Sequence, residues 1–366
     1  MKAASVLEAA PRHGLDVRLV DTGQHFTDEL TRRITDDLGL PAPHHRLDVG
    51  RAAGLEQLAA LLVGLGRVVE AEAPALVVVV GDVTSTLGGA LAAARAGPRP
   101  VPLAHVEAGL RSGDRTMPEE LNRRLVDQLA DLLLCTEEGA LANLRREGRD
   151  DATVLLVGNT MVDTLLRARA RAAGAGALEA LGLAPGGYGL VTLHRPANVD
   201  DPPRLEALLR ALGQVAARLP LVFPVHPRTR ARLAARPAPP GLRLVEPQGY
   251  LAFLQLMAGA RLVLTDSGGV QEETTVLGVP CLTVRESTER PITVTAGTNR
   301  VVGVDPAAVV AAAHEVLDRP PPPPREPPPL WDGRAGERIA AAIAGWLDGG
   351  PVEARARAVA LGARTG

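Results

Sequence analysis

The chain has 366 residues, more than one ordinary core accommodates, so two domains are expected. Hydrophobic residues make up 46% and aromatics only 2%, which leaves the packing to Ala, Val and Leu, and a formal net charge of -2 points to neither a nucleic-acid nor a membrane surface. The two cysteines, Cys135 and Cys281, form no disulfide framework or zinc spacing, and with no leader and no apolar run near 18 residues a soluble cytoplasmic setting is expected.

The chain opens in a helix-like stretch, Lys2–Ala10. Val17–Val20 then leads into Asp21-Thr22-Gly23-Gln24-His25, Leu76–Val80 into Gly81-Asp82, and Val101–His105 into VEAGLR. Leu132–Cys135 and Val154–Val157 complete the first half. After a break rich in Ala, Gly and Arg near Ala168–Pro185, the habit repeats. The runs there are Gly189–Leu193, Leu221–Val225, Leu242–Val245, Arg261–Thr265 and Pro280–Val284. Continuous apolar runs predict strands buried on both faces, and helical stretches between them predict βαβ units in parallel sheets. Arg319–Pro329 is proline-rich and reads as an extended connector, followed by a helix near Ala335–Leu347. The expected domains are residues 1–168 and 185–330, with a C-terminal helix and tail at 331–366.

In open parallel sheets, ligands bind beyond the carboxyl ends of strands, so the residues after each run are the candidates. Asp82 and Glu107 end two strands, and Glu119 opens the helix of MPEELNRR four residues before Arg123. Three carboxylates can divide acid and base roles; equally, Glu119 and Arg123 can form a surface pair and Asp82 can cap a helix. Ser267, Gly268 and Gly269 sit at a strand-to-helix turn whose N–H groups suit a diphosphate, although an ordinary glycine turn has the same look. Glu272 and Glu273 follow one turn later, where a carboxylate can hold ribose hydroxyls. His194 and Arg195, His226 and Arg228, and Arg290 each follow a strand, in proton-transfer, phosphate-binding or plain structural roles. Phe253 can stack on a base or serve the core. His44 and His45 carry no assigned role. No GxGxxG opens a βα unit, no P-loop occurs, and no cluster has metal-ligand spacing.

Taken together the segments resemble the non-hydrolysing UDP-N-acetylglucosamine 2-epimerases. The carrying motifs are TGQH (Thr22–His25), GDVTST (Gly81–Thr86), HVEAGLRSGDRTMPEELNRR (His105–Arg124) and VGNTMVDTL (Val157–Leu165). LHRPANVD (Leu193–Asp200), VHPR (Val225–Arg228), EPQGYLAFLQLM (Glu246–Met257), TDSGGVQEE (Thr265–Glu273) and RESTERP (Arg285–Pro291) follow in family order. The resemblance implies an α/β fold of glycosyltransferase-B type: two Rossmann-like domains of parallel sheet with an interdomain cleft. It implies reversible epimerisation at carbon 2 of UDP-N-acetylglucosamine, through loss and return of UDP, with no cofactor and no metal. It assigns Asp82, Glu107, Glu119 and His194 to catalysis with Arg123 in support. Lys2, Ser267, Gly268, Gly269 and Arg290 fall to the phosphate and sugar region, Glu273 to ribose and Phe253 to uracil. Gln24, Arg195 and His226 match parts of a site where relatives bind a second substrate molecule as activator. A homodimer is also implied. Alternatives of the same general type are a hydrolysing epimerase, a 2-epimerase of a diacetamido sugar and, further off, a glycosyltransferase.

Three departures stand out. Ala197 occupies a position where Glu is common, and Thr27 differs from the polar residue usual after TGQH. Relatives also begin with a strand and an Arg-bearing loop whose tail Lys2-Ala3-Ala4 resembles. The expectation is therefore a start codon assigned about a dozen residues late, with the first strand missing.

Overall fold

The computed structural model describes residues 1–23, 28–49, 54–149, 152–233, 237–320 and 326–349. It divides into two compact units. The first takes in Met1–Thr31, Gly39–Thr164 and the chain from Pro329 onward; the second takes in Arg32–Leu38 and Leu165–Pro328.

Among the described residues the first unit holds six strands: β1 (Val20–Asp21), β2 (His45–Arg46), β3 (Val77–Val80), β4 (Leu103–Ala108), β5 (Leu132–Cys135) and β6 (Val154–Leu156). β3-β4-β5-β6 form one parallel sheet, and β1 and β2 pair separately, also in parallel. β4 and β5 are buried along their whole length, as continuous apolar runs require. β3 departs from that expectation: among the described residues it pairs only with β4, and as an edge strand it leaves Val78 39% exposed. Side chains alternate across the sheet. Leu103, Leu133 and Cys135 pack under the helices Thr84–Arg95 and Pro118–Leu129, through Leu87, Ala90 and Val126. Ala104, Val106, Leu132 and Leu134 face the other way, onto Ile339 and Ile343 of the C-terminal helix Ala335–Gly349. That helix is therefore part of the first core rather than an appendage. Its first turn is secured by Asp163, which accepts from the N–H groups of Ala335 (3.1 Å) and Gly336 (2.7 Å).

The second unit is one parallel sheet of β7 (Gly189–Thr192), β8 (Leu221–Pro224), β9 (Leu242–Val245), β10 (Leu262–Thr265), β11 (Cys281–Thr283) and β12 (Asn299–Val301). The spatial order is β12-β11-β10-β7-β8-β9, so the chain reverses its direction of travel across the sheet between β7 and β10. In a doubly wound sheet that switch point leaves a crevice at the carboxyl ends of the strands. Its core gathers Val191, Phe223, Leu264 and Leu282 from the sheet with Leu205, Leu212 and Val309 from the helices.

Nine of the ten apolar runs lie mainly in strands; of Val17–Val20 only Val20 does, as the first residue of β1, and Val17 is exposed. Two further strands, β2 and β12, were not expected. His45-Arg46 carries no apolar signal and is held by backbone bonds to Leu19 and Asp21. Asn299-Arg300-Val301 is short, and its Asn299 side chain accepts from Thr283 Oγ1 at 2.6 Å.

Candidate active site

Asp82 in the first unit and His194 and His226 in the second lie just past the carboxyl ends of parallel strands, and Glu107 lies within the last residues of β4. In the first unit, Asp82 follows β3. Its carboxylate pairs with Arg123, and its carbonyl accepts from the Asn122 side chain at 2.9 Å. Arg123 is 2% exposed and has a second partner, Glu120, at 2.8 Å. The helix thus pairs Arg123 with the residue three before it; Glu119 stands half-buried beside that pair in the first turn. Glu120 also accepts from the N–H (2.8 Å) and hydroxyl (3.0 Å) of Ser112. Burial pushes its carboxyl up, but the Ser112 amide and Arg123 outweigh burial and hold it below the usual carboxylate range. The N-cap position of Thr84–Arg95 falls to Val83, one residue after Asp82.

Glu107 sits on a bulge. The β4–β5 register slips between Val106 and Ala108, and Glu107 there adopts a left-handed backbone with φ of 73°. For a residue with a Cβ this costs about 1–2 kcal/mol. Bulges of this kind re-aim a side chain beside a functional site. Glu107 is 6% exposed, and its carboxylate lies 2.6 Å from Lys2 Nζ. Gly81 lets the neighbouring turn come close: a Cβ there would sit 3.1 Å from Lys2 Nζ and 3.7 Å from Glu107 Oε2. Asp82, Glu107, Lys2 and Arg123 are thus brought together around one turn.

In the second unit the switch point is organised by Asp266, fully buried after β10. It accepts from the backbone N–H of His194 (3.1 Å) and Arg195 (2.9 Å) and from the Asn198 amide (3.1 Å). The same carboxylate lies 3.2 Å from His194 Nδ1, which orients a ring that is otherwise 41% exposed. His226, after β8, places its ring 5.9 Å from that of His194.

Ser267 is the N-cap residue of the helix Gly268–Leu277, yet its side chain does not cap the helix. The N–H groups of that first turn suit an anion. Gly268 is required by its surroundings, because a Cβ would stand 2.6 Å from Glu289 Oε1. Glu289 gathers the arginines: Arg285 at 2.7 Å and Arg195 at 3.4 Å. Burial alone would raise its carboxyl, but Arg290, Arg285 and Arg195 hold it well below the ordinary range. Arg290 is buried and paired with Glu272 at 2.8 Å. Glu273 is buried too and accepts from the Tyr250 hydroxyl at 2.9 Å. Burial pushes its carboxyl up to about 7, against the pull of Tyr250. Phe253 lies half-buried one turn beyond Tyr250.

Of the expected site residues, Gln24 falls outside the described residues. Glu120, Asp266, Arg285 and Glu289 were not singled out, although each lies in a motif that was. A usable signal existed for Asp266, an acidic residue between a strand end and a glycine turn. Among the described residues no group of three or more His, Cys, Asp or Glu could hold a metal ion. No described helix is long and apolar enough to cross a membrane.

A family model described as UDP-N-acetylglucosamine 2-epimerase matches residues 7–344. The chain is 36% identical over 350 residues to the UDP-N-acetylglucosamine 2-epimerase of Methanocaldococcus jannaschii, covering 93% of this chain and 94% of the relative. It is 40% identical over 305 residues to the UDP-2,3-diacetamido-2,3-dideoxy-D-glucuronate 2-epimerase of Pseudomonas aeruginosa, covering 82% and 84% of the two chains. In structure it is similar to the M. jannaschii UDP-GlcNAc 2-epimerase crystallised with UDP-GlcNAc and UDP, with a TM-score of 0.86 and 35% identity over 94% of this chain and 96% of that one. The expected fold class, two parallel-sheet α/β domains of glycosyltransferase-B type, agrees with these neighbours.

Proposed function

The chain belongs to the UDP-N-acetylglucosamine 2-epimerase family, and from that premise we propose that it interconverts UDP-N-acetylglucosamine and UDP-N-acetylmannosamine without net hydrolysis. Carbon 2 of an N-acetyl sugar carries no acidic proton, because no carbonyl adjoins it. Breaking the bond from carbon 1 to the diphosphate oxygen builds oxocarbenium character, which acidifies that C–H. A carboxylate takes the proton, the bonding pair leaves with UDP, and a 2-acetamidoglucal remains. UDP then returns to carbon 1 while a proton is delivered to the other face of carbon 2.

The observation that carries this reading is Asp82 and Glu107 at adjoining strand ends, each oriented by its own cation. Positioned carboxylates of this kind can exchange protons with the sugar, with Glu119 as a third such group. The leaving diphosphate needs preorganised positive charge, and the Ser267–Gly269 turn with Arg290 would supply it. His194, whose ring Asp266 orients, would act on the same substrate. Glu273 and Phe253 would hold the ribose and the uracil.

Incubation with UDP-N-acetylglucosamine in heavy water tests the proposal. The expected result is the manno epimer carrying deuterium at carbon 2, with little free UDP. Steady release of UDP and free N-acetylmannosamine would show a hydrolysing enzyme instead. The identity to the P. aeruginosa relative favours one second reading, in which the sugar is a diacetamido glucuronate. Comparing kcat/KM for the two nucleotide sugars decides between them.

A further inference from the structure

Behind the two paired carboxylates lies a polar group that the proposed chemistry leaves unused. His105 on β4 and Asp127 on the helix Pro118–Leu129 are both fully buried. His105 Nδ1 lies 2.6 Å from Asp127 Oδ1, and its Nε2 lies 2.8 Å from the carbonyl oxygen of Gly81. A carboxylate and a carbonyl only accept, so both ring nitrogens donate. The second oxygen of Asp127 accepts from Gly109 N–H at 3.1 Å and meets Arg111 at 2.7 Å. Arg111 in turn forks onto Glu147 at 2.9 and 2.6 Å. Burial raises the Asp127 carboxyl, but His105 and Arg111 outweigh burial and keep it below the usual range.

The placement of these bonds along the chain is informative. Glu107 lies midway between His105 and Gly109. One carboxylate therefore grips β4 two residues before the bulge and two residues after it. The same imidazole reaches Gly81, the residue before Asp82, and Gly81 N–H also donates to Val106 O at 3.0 Å. A left-handed residue that bears a side chain persists only where its surroundings over-determine it. Here the surroundings are a single buried pair with a hand on both site turns.

We propose that His105 and Asp127, braced by Arg111, are positioning residues that hold Glu107 on its bulge and register it against Asp82. Shut off from solvent, His105 and Asp127 act through those carboxylates and do not reach the sugar. The inference rests on the epimerase reading, which gives Glu107 and Asp82 their work.

The test uses the full-length enzyme, UDP-N-acetylglucosamine and UDP, with Asp127→Asn as the principal variant. A misplaced reacting group is expensive, so kcat should fall roughly 10- to 100-fold while KM and the UDP Kd stay within about twofold. Arg111→Lys keeps the charge but loses the fork, and should give a smaller fall in kcat in the same direction. In the wild type, 15N NMR of the His105 ring should show a proton on both nitrogens. A folded Asp127→Asn enzyme with kcat within about twofold of wild type overturns the proposal. So does a fall in kcat matched by an equal loss of UDP affinity. If Asp127→Asn does not fold, the wild-type ring spectrum decides, because one bare nitrogen is incompatible with the clamp. If the wild type makes no manno product, the epimerase reading fails while the ring spectrum still reports on the clamp.

Discussion

The two units end their parallel strands in charged residues, but they hold those residues differently. In the second unit buried acids serve as hubs. Asp266 collects two backbone amides and the Asn198 side chain, and Glu289 collects Arg285 and Arg195. In the first unit the carboxylates at the turn are themselves the candidates, and cations hold them in place: Arg123 for Asp82 and Lys2 for Glu107. A diphosphate stays anionic throughout a reaction, and fixed cations serve it well. A proton carrier must change charge, and a carboxylate can do so. Under the proposed function, the same kind of strand end is furnished for binding in one unit and for proton transfer in the other.

Substitutions sharpen or break that comparison. The largest effect should come from Asp82→Asn and Glu107→Gln, each lowering turnover about 100-fold or more while UDP affinity changes less than about threefold. Steady-state kinetics beside calorimetric UDP titration will tell, and a UDP affinity that falls as far as turnover breaks the comparison.

Next comes Glu273, whose carboxyl is raised by burial to about 7 from an ordinary 4.5. The folded state then binds the proton more tightly than the unfolded state. Its contribution is whole below about pH 4.5 and declines as pH rises toward 7, by on the order of 3 kcal/mol. Glu273→Gln keeps an acceptor for Tyr250 and should lose that decline. Urea unfolding of both proteins between pH 4.5 and 8 measures it, and parallel pH profiles would refute the burial argument.

Gly268→Ala should weaken UDP roughly 10- to 50-fold, since its Cβ would stand 2.6 Å from Glu289 Oε1. Turnover at saturation should change far less, and a selective loss of kcat would blur the division between the units. Phe253→Ala should cost UDP affinity about fivefold, in keeping with loss of one aromatic contact.

Much of the fold was legible, for a definite reason. Leu132–Cys135 and Leu242–Val245 coincide with β5 and β9 because short apolar runs in a parallel sheet leave few other placements. β4 runs past the apolar stretch because its bulge places an acid inside a buried strand. β3 reads like a central strand, yet its exposure depends on which strands flank it, and four valines cannot encode that. For the site, residue types beside strand ends were legible and partners were not. Spacings of three and four both suit a helical pair, so nothing in EELNR prefers Glu120 over Glu119 for Arg123. Asp127 lies 22 residues from His105, a separation bridged only by packing.

The path of the chain has a consequence for synthesis. Residues Leu165–Pro328 of the second unit are synthesised before Ala335–Gly349. Until then Ala104, Val106, Leu132 and Leu134 of the first sheet lack the cover of Ile339 and Ile343. The first unit, though its chain begins first, is therefore completed last, and part of one apolar sheet face waits for its cover. Released chains truncated near residue 330 should be cut by protease in the first unit faster than the full chain.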